Sequence, residues 1–384
     1  MESKKMRILQ VTPYFGEHYG GTERYSFNLS RALVKLGHEV HVYAARIKSS
    51  TPRKEIRYGI NIHRFPTPTT IWNINPFSVM LHRLLTKKFD VIHAHSYLYA
   101  TSNQALLAKM VRNFFHKHTK LIVHLHGGLG IPPYLKHQPL KKIAKYVYDA
   151  TVGKAMMFGA NHILSACQTD AILAQRQFNI PDEKITVIYN AIDTEPFNTH
   201  RKDGDGGESP YLLFVGDLER WKGVTSLIQA MQILKNRGHK IALKLAGVGS
   251  IERLLRKMSD GLDIRFLGAV PHSKIPDLMR DAFACVLPSF WEGVPTVGME
   301  AMASGTPFIG TNIGGIPELI DPEVTGLLIS PNAPWEIADA VQKLRNENLR
   351  QTIVKNAYQL INQKFAIETI AKKTARIYKR ISGE

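Results

Sequence analysis

Cysteine is nearly absent from this 384-residue chain: only Cys167 and Cys285 occur, each inside an apolar run. A disulfide framework and a cysteine-ligated metal site are thereby excluded, and both thiols are expected to be buried. No window approaches the ~18 consecutive apolar residues of a membrane span, so an integral helical membrane protein is excluded as well. The opening, MESKKMRILQVTPYF, passes from a short polar lead into an apolar strand without the apolar segment and small-residue cleavage site of a secretory leader. That pattern predicts a cytoplasmic protein. No Gly-x-Gly-x-x-Gly follows the first strand, which argues against a dehydrogenase. Tandem repeats and low-complexity segments are missing too.

Basic residues are plentiful but unevenly placed. Residues 1–190 hold 26 Lys/Arg against 10 Asp/Glu, a balance of +16; residues 191–363 hold 18 against 20, or −2; the last 21 hold 6 against 2, or +4. Such asymmetry points to an anionic partner of the first half: a membrane surface, nucleic acid or a phosphorylated substrate. A merely solubilising surface would look the same. No zinc finger or RNP-type motif accompanies the charge, which disfavours nucleic acid.

The length suits two α/β domains of roughly 150–200 residues each, and two domains imply a cleft. RILQV breaks at the loop GEHYGGTE, a helical pattern follows through Leu36, Gly37 stops it, and a strand comes next. This βαβ start is continued by KFDVIHAHS, KLIVHLHGG, NHILSACQ and KITVIYNAID, with helical patterns between. Short apolar strands alternating with helices predict a parallel sheet covered on both faces. Residues 198–210, NTHRKDGDGGESP, read as a polar, Gly-rich linker. YLLFVGDL, IALKLAGVGS, DIRFLGAV, FACVLPS and TPFIGTN then form a second series of the same kind. The tail AIETIAKKTARIYKRIS reads as an amphipathic helix with a basic face.

The second series carries the densest chemistry. In FWEGVPTVGMEAMASG, Glu292 falls in a strand-to-helix loop, Thr296 is the expected N-cap, Glu300 lies early in a short helix, and Gly305 ends it. A carboxylate early in a helix can accept two hydrogen bonds from a vicinal diol such as a ribose. Alone, Glu300 would read better as a helix-dipole residue and Glu292 as a solvated loop charge. The segment has company, however. GDLERWKGV places Arg220 and Lys222 where a pyrophosphate could sit against a helix N-terminus, AGVGS brings Gly247 and Gly249 after another strand, and TNIGGIPE adds Gly314, Gly315 and Glu318. Four ligand-type loops at one sheet edge favour a binding site.

The run LPSFWEGVPTVGMEAMASGTPFIGTNIGGIPELI, with its Glu, seven residues, Glu spacing and its GG-x-x-E, resembles the family 4 retaining glycosyltransferases. VGDLERWKG, LAGVGS, VIYNAIDTEPF, GGTE and VTGLLIS extend the resemblance over essentially the whole chain. It implies an α/β chain of the GT-B type: two doubly wound Rossmann-like domains facing across a cleft, with the C-terminal helix packing back on the N-terminal domain. Residues 1–195 plus 364–384 would bind the acceptor, and residues 208–363 a nucleotide-sugar. The implied reaction moves a sugar from a UDP- or GDP-sugar to a hydroxyl with retention, the acceptor being lipid-linked, a polysaccharide or another glycoconjugate.

Carried onto these residues, the resemblance makes Glu300 the ribose ligand and Glu292 a contact to the donor sugar. Arg220 and Lys222 would hold the diphosphate, and His126 would stand near the transferred sugar. Gly20 and Gly21 match the N-terminal glycine loop; Gly216, Gly247, Gly249, Gly293, Val294, Pro295 and Thr296 complete the donor-binding set. One position departs: Asp217 follows Gly216 where the family often has arginine. No metal and no other cofactor is expected, because Lys and Arg can stabilise the leaving diphosphate.

The pairs His93/His95 and His124/His126 each place two imidazoles on one face of a strand, readable as a metal site or, preferably, as strand-end positions lining the cleft. Lys136, Lys141, Lys142 and Lys145, interleaved with apolar and aromatic residues, suggest a peripheral contact with an anionic membrane. The rival readings are a sugar-nucleotide epimerase or a phosphorylase of the same fold, and more remotely a basic nucleic-acid-binding protein.

Overall fold

A computed structural model describes residues 5–16, 20–71, 75–115, 119–130, 138–198 and 210–383. Lys136 and most of the polar segment 198–210 lie outside the described residues. The chain divides into two compact units, Met1–Asn190 with Ile367–Glu384, and Ala191–Ala366.

The strands of the first unit, in chain order, are β1 (Arg7–Val11), β2 (Glu39–Arg46), β3 (Lys54–Arg57), β4 (Ile60–Pro66), β5 (Thr69–Ile71), β6 (Asn75–Phe77), β7 (Val91–His95), β8 (Lys120–Leu125), β9 (His162–Ser165) and β10 (Ile185–Val187). Its helices are α1 (Gly21–Lys35), α2 (Leu81–Thr86), α3 (Ala100–Phe114), α4 (Pro139–Tyr148), α5 (Lys154–Gly159) and α6 (Gln168–Phe178). The sheet order is β10-β9-β8-β7-β1-β2-β4-β3, parallel except for the β3–β4 hairpin. Strands β7 and β8 are buried along nearly their whole length, as covering on both faces demands.

The second unit holds β11 (Tyr211–Val215), β12 (Ala242–Ala246), β13 (Ile264–Gly268), β14 (Ala284–Leu287), β15 (Phe308–Thr311) and β16 (Leu327–Ile329). Helices α7 (Val224–Asn236), α8 (Glu252–Met258), α9 (Ile275–Arg280), α10 (Thr296–Ala303), α11 (Pro334–Lys343) and α12 (Glu347–Leu360) surround them. All neighbours in the order β13-β12-β11-β14-β15-β16 pair parallel. The order reverses between β11 and β14, and such a switch point opens a crevice at the carboxyl ends of the strands. The loops after these two strands carry Lys222 and Glu292.

The last helix, α13 (Ile367–Ser382), belongs to the first unit and packs on α1. Ile370, Ala371, Thr374 and Tyr378 recur at helical spacing and are buried, which leaves the basic residues of the tail on the opposite face. The C-terminal helix thus returns to the N-terminal domain, as the sequence implied.

Candidate functional site

In the second unit, backbone packing between loops comes before any ligand chemistry. A Cβ on Gly223, whose φ is +66°, would lie 1.9 Å from the Pro288 carbonyl oxygen. One on Gly247 would lie 1.8 Å from the Gly216 carbonyl oxygen, and one on Gly249 would lie 2.3 Å from that of Leu218. Glycine at 247 and 249 is therefore required so that the loops after β11 and β12 can touch, whatever else those loops bind. The Gly216 and Leu218 amides donate to the Ala246 and Val248 carbonyls at 3.0 and 2.9 Å and lock this arrangement. Gly314 meets the next loop in the same way: its φ is +52°, and a Cβ would stand 1.8 Å from the Glu292 carbonyl oxygen. Gly293 differs, because a Cβ there would meet nothing within 4 Å among the described residues.

These loops bring Lys222 and Glu292 together. Lys222 ends a 3-10 turn, Arg220–Lys222, ahead of α7, and its Nζ lies 2.5 Å from Glu292 Oε1. Ser289 Oγ donates to the same oxygen at 2.9 Å. The Phe290 amide donates to the Trp221 carbonyl at 2.7 Å and ties the two loops directly. The side chains keep 20% and 13% of their exposure, so the pair is shielded yet reachable. Arg220 is exposed and has no ion pair among the described residues; Asp217 is exposed beside it.

Glu300 is more deeply placed than an edge carboxylate in a solvated loop. It lies on α10, is 3% exposed, and its Oε1 is 3.1 Å from His272 Nε2. Burial, with Glu300 adding to it, pushes the Cys285 thiol up to about 12, and Cys167 is buried as well. The N-cap of α10 is Pro295, one residue before the expected Thr296, and no side chain caps that end. Val294 and Pro295 are buried under the loop, whereas Thr296 remains partly accessible. His272 and Ser289 were not singled out in the sequence; their only signal is a position just past β13 and β14, on the edge where ligand loops gather.

In the first unit, Gly20 precedes α1 as its N-cap and Gly21 is the first helical residue. His126 lies just past β8, with Nδ1 3.1 Å from Asn190 Oδ1 and Nε2 3.1 Å from His95 Nδ1. His93, His95 and His124 lie in the last residues of β7 and β8, as the preferred reading has it, but all three are fully buried within the unit and present no open surface. A doubly wound sheet buries both faces, so alternation along β7 cannot reveal which way an imidazole points. Burial holds all four rings below the ordinary histidine range, His126 down to about 4.

Among the described residues, one trio could be considered for a metal: ligand atoms of His93, His95 and His124 lie within 4.8 Å of one another. Their rings stack at 15°, 27° and 26°, so in-plane lone pairs run side by side and do not converge on one point. His95 also engages both nitrogens, its Nε2 lying 2.7 Å from Gln10 Oε1. These residues do not fit a metal as they stand.

Lys145 likewise departs from expectation. Its Nζ is buried and lies 2.5 Å from Asp149 Oδ2 and 2.8 Å from the Tyr97 hydroxyl, facing inward from α4. On the outward face Leu140 (82%), Ile143 (59%) and Tyr146 (54%) are exposed, with Lys141 beside them.

The Glycosyltransferase Family 4 model matches residues 19–196, and the model for glycosyl transferases group 1 matches residues 197–360. An uncharacterised glycosyltransferase of Methanocaldococcus jannaschii is 28% identical over 97% of this chain and 98% of its own length. Glycogen synthase of Mycobacterium tuberculosis is 28% identical over 97% of this chain and 94% of its own. Among solved structures, sucrose-phosphate synthase from Thermosynechococcus elongatus superposes with a TM-score of 0.79 at 20% identity, covering 99% of this chain and 100% of that one. The Anabaena protein HepE in complex with UDP superposes at 0.75 and 19%, covering 98% and 100%. Two consecutive family matches spanning most of the chain, on two Rossmann-like units of the GT-B type, show that this protein is a glycosyltransferase of the group 1, family 4 class.

Proposed function

We propose that the second unit binds a nucleoside-diphosphate sugar and that the enzyme transfers the sugar to a hydroxyl acceptor with retention at the anomeric carbon. The observation that carries this reading is the shielded Lys222–Glu292 pair at the strand-order reversal; Glu300, held by His272, lies on the helix that follows the Glu292 loop. The names of relatives agree with a sugar-transfer chemistry, and HepE has been solved with UDP and with UDP-glucose.

In this mechanism Lys222, with Arg220 at the mouth of the same turn, meets the negative charge that grows on the diphosphate as the anomeric C–O bond breaks. Glu300 accepts from the ribose hydroxyls and Glu292 from the sugar. Gly20, Gly21 and His126 belong to the acceptor-bearing unit. The acceptor oxygen forms its bond on the face the diphosphate leaves, and the departing phosphate oxygen takes the acceptor's proton, so no protein base is needed. Incubation with UDP-, GDP- and ADP-sugars, followed by NMR of the product's anomeric proton, tests the reading. An inverted product, or epimerised donor without acceptor, overturns it.

The outward face of α4 favours an acceptor at an anionic lipid surface. Apolar residues stand out from it with Lys141 among them, on the unit that carries nearly all the excess positive charge. Cosedimentation with vesicles containing anionic lipid, lost on Lys141→Glu with Ile143→Ser, is the expected result. Equal pelleting of wild type and variant refutes the surface.

A further inference from the structure

A single hydrogen-bonded run crosses the interior of the first unit. It passes from Asn190 Oδ1 to His126 Nδ1 (3.1 Å), from His126 Nε2 to His95 Nδ1 (3.1 Å), and from His95 Nε2 to Gln10 Oε1 (2.7 Å). It continues from Gln10 Nε2 to the Tyr378 hydroxyl (3.3 Å), which also meets His93 Nδ1. Gln10, His93, His95 and Tyr378 are completely buried, so no water-exposed group relieves a mismatch along them.

Counting protons shows that the run has a direction. With both amide oxygens facing imidazoles, the three contacts from Asn190 to Gln10 need three N–H groups. Two neutral rings supply only two, and burial keeps these rings neutral. One amide must therefore present its NH2 group, an orientation that shape alone does not distinguish. If Asn190 turns, the order of donors passes through Gln10 and Tyr378 so that the hydroxyl donates to His93 Nδ1. His93 must then carry its proton on Nε2, which has no partner among the described residues. If Gln10 turns, His93 Nδ1–H donates to the Tyr378 oxygen, and the unpartnered Nε2 is only a lone pair. An orphaned buried N–H is the rarer and costlier defect, so the second direction prevails.

We propose that Gln10 and Tyr378 are positioning residues that fix His126 as the Nδ1–H tautomer, so that the C-terminal helix sets the chemistry of a histidine in the transfer machinery. His126 then has both nitrogens committed, its proton to Asn190 and its lone pair to His95. It serves as an oriented neutral ring and exchanges no proton with the acceptor, which suits a reaction in which the leaving phosphate takes that proton. The assignment of His126 to transfer rests on the function proposed above; the tautomer does not.

The test is long-range 1H–15N correlation NMR of the full-length protein labelled with 15N-histidine, with His126→Gln used for assignment. Wild type is expected to show His126 neutral and protonated on Nδ1 at pH 7.5. Gln10→Glu, whose carboxylate only accepts, obliges His95 to donate from Nε2 and accept at Nδ1, and so shifts His126 toward Nε2–H. In parallel, kcat of Gln10→Glu should fall roughly tenfold at unchanged donor KM. A wild-type His126 protonated on Nε2 overturns the direction of the run, and that measurement needs no variant to fold. An unmoved tautomer in Gln10→Glu overturns the linkage. A moved tautomer at unchanged kcat overturns the positioning role and leaves the donor reading standing.

Discussion

Replacing Lys222 by alanine removes the cation from a contact of 2.5 Å and leaves Glu292 with Ser289 as its remaining described partner. Opposite unit charges ~4 Å apart attract by about 4 kcal/mol at an effective dielectric near 20. Desolvation cancels much of that for a pair that is mostly covered. The expected stability loss is therefore about 1–3 kcal/mol, in line with a hydrogen bond to a charged group. Catalysis should suffer more, because a preorganised donor aimed at developing charge is worth on the order of 10²–10³ in kcat. Glu292→Ala should cost turnover strongly as well. Since the two side chains touch, the double variant should fall short of the summed free-energy losses by about 0.5–3 kcal/mol. Steady-state kinetics with a confirmed donor, alongside thermal unfolding of all four proteins, provides the numbers. Turnover of Lys222→Ala within about threefold of wild type, or strict additivity in the double variant, would refute the reasoning.

Three further outcomes follow from the geometry. Gly223→Ala and Gly314→Ala, whose Cβ atoms would lie 1.9 and 1.8 Å from carbonyl oxygens, should each destabilise the second unit by more than about 2 kcal/mol. Gly293→Ala, with open space at that point, should melt like wild type while weakening donor binding; reversal of that order in a melting series would contradict the loop packing. His126 and His162 are both held down to about 4 by burial, against ~6.5 in an unfolded chain. Their neutral burial supports the fold fully above about pH 6.5 and is lost as pH falls toward 4, at roughly 3 kcal/mol per ring; a flat midpoint of urea unfolding across that window would be the contrary result. Lys145→Met should strand Asp149 and lower stability by about 3 kcal/mol, whereas Lys141→Met should leave the melting temperature unchanged.

Legibility in the sequence followed the strength of local constraint. Runs such as RILQV and YLLFV, bounded by Gly and by helical periods, reveal parallel strands, and the Glu292–Glu300 spacing across Pro295 and Gly305 reveals a loop and a short helix. Side-chain direction was harder to read. His93, His95 and His124 look like edge residues because polar side chains in apolar strands suggest function, yet a sheet covered on both sides has an interior in either direction. On α4 the amphipathic pattern is inverted: Lys145 finds Asp149 inside, and Leu140 and Ile143 face out. Partners far apart in the chain, such as His272 with Glu300 or Tyr378 with His93, leave no mark in local spacing.

The most direct test of a nucleotide-sugar site in the second unit is isothermal titration of the intact enzyme with UDP, GDP and ADP, repeated on Lys222→Ala and Glu300→Gln. The account predicts one saturable site for one of the three nucleotides, weakened at least tenfold in each variant, about 1.4 kcal/mol or more. Binding of equal strength in wild type and both variants would contradict it.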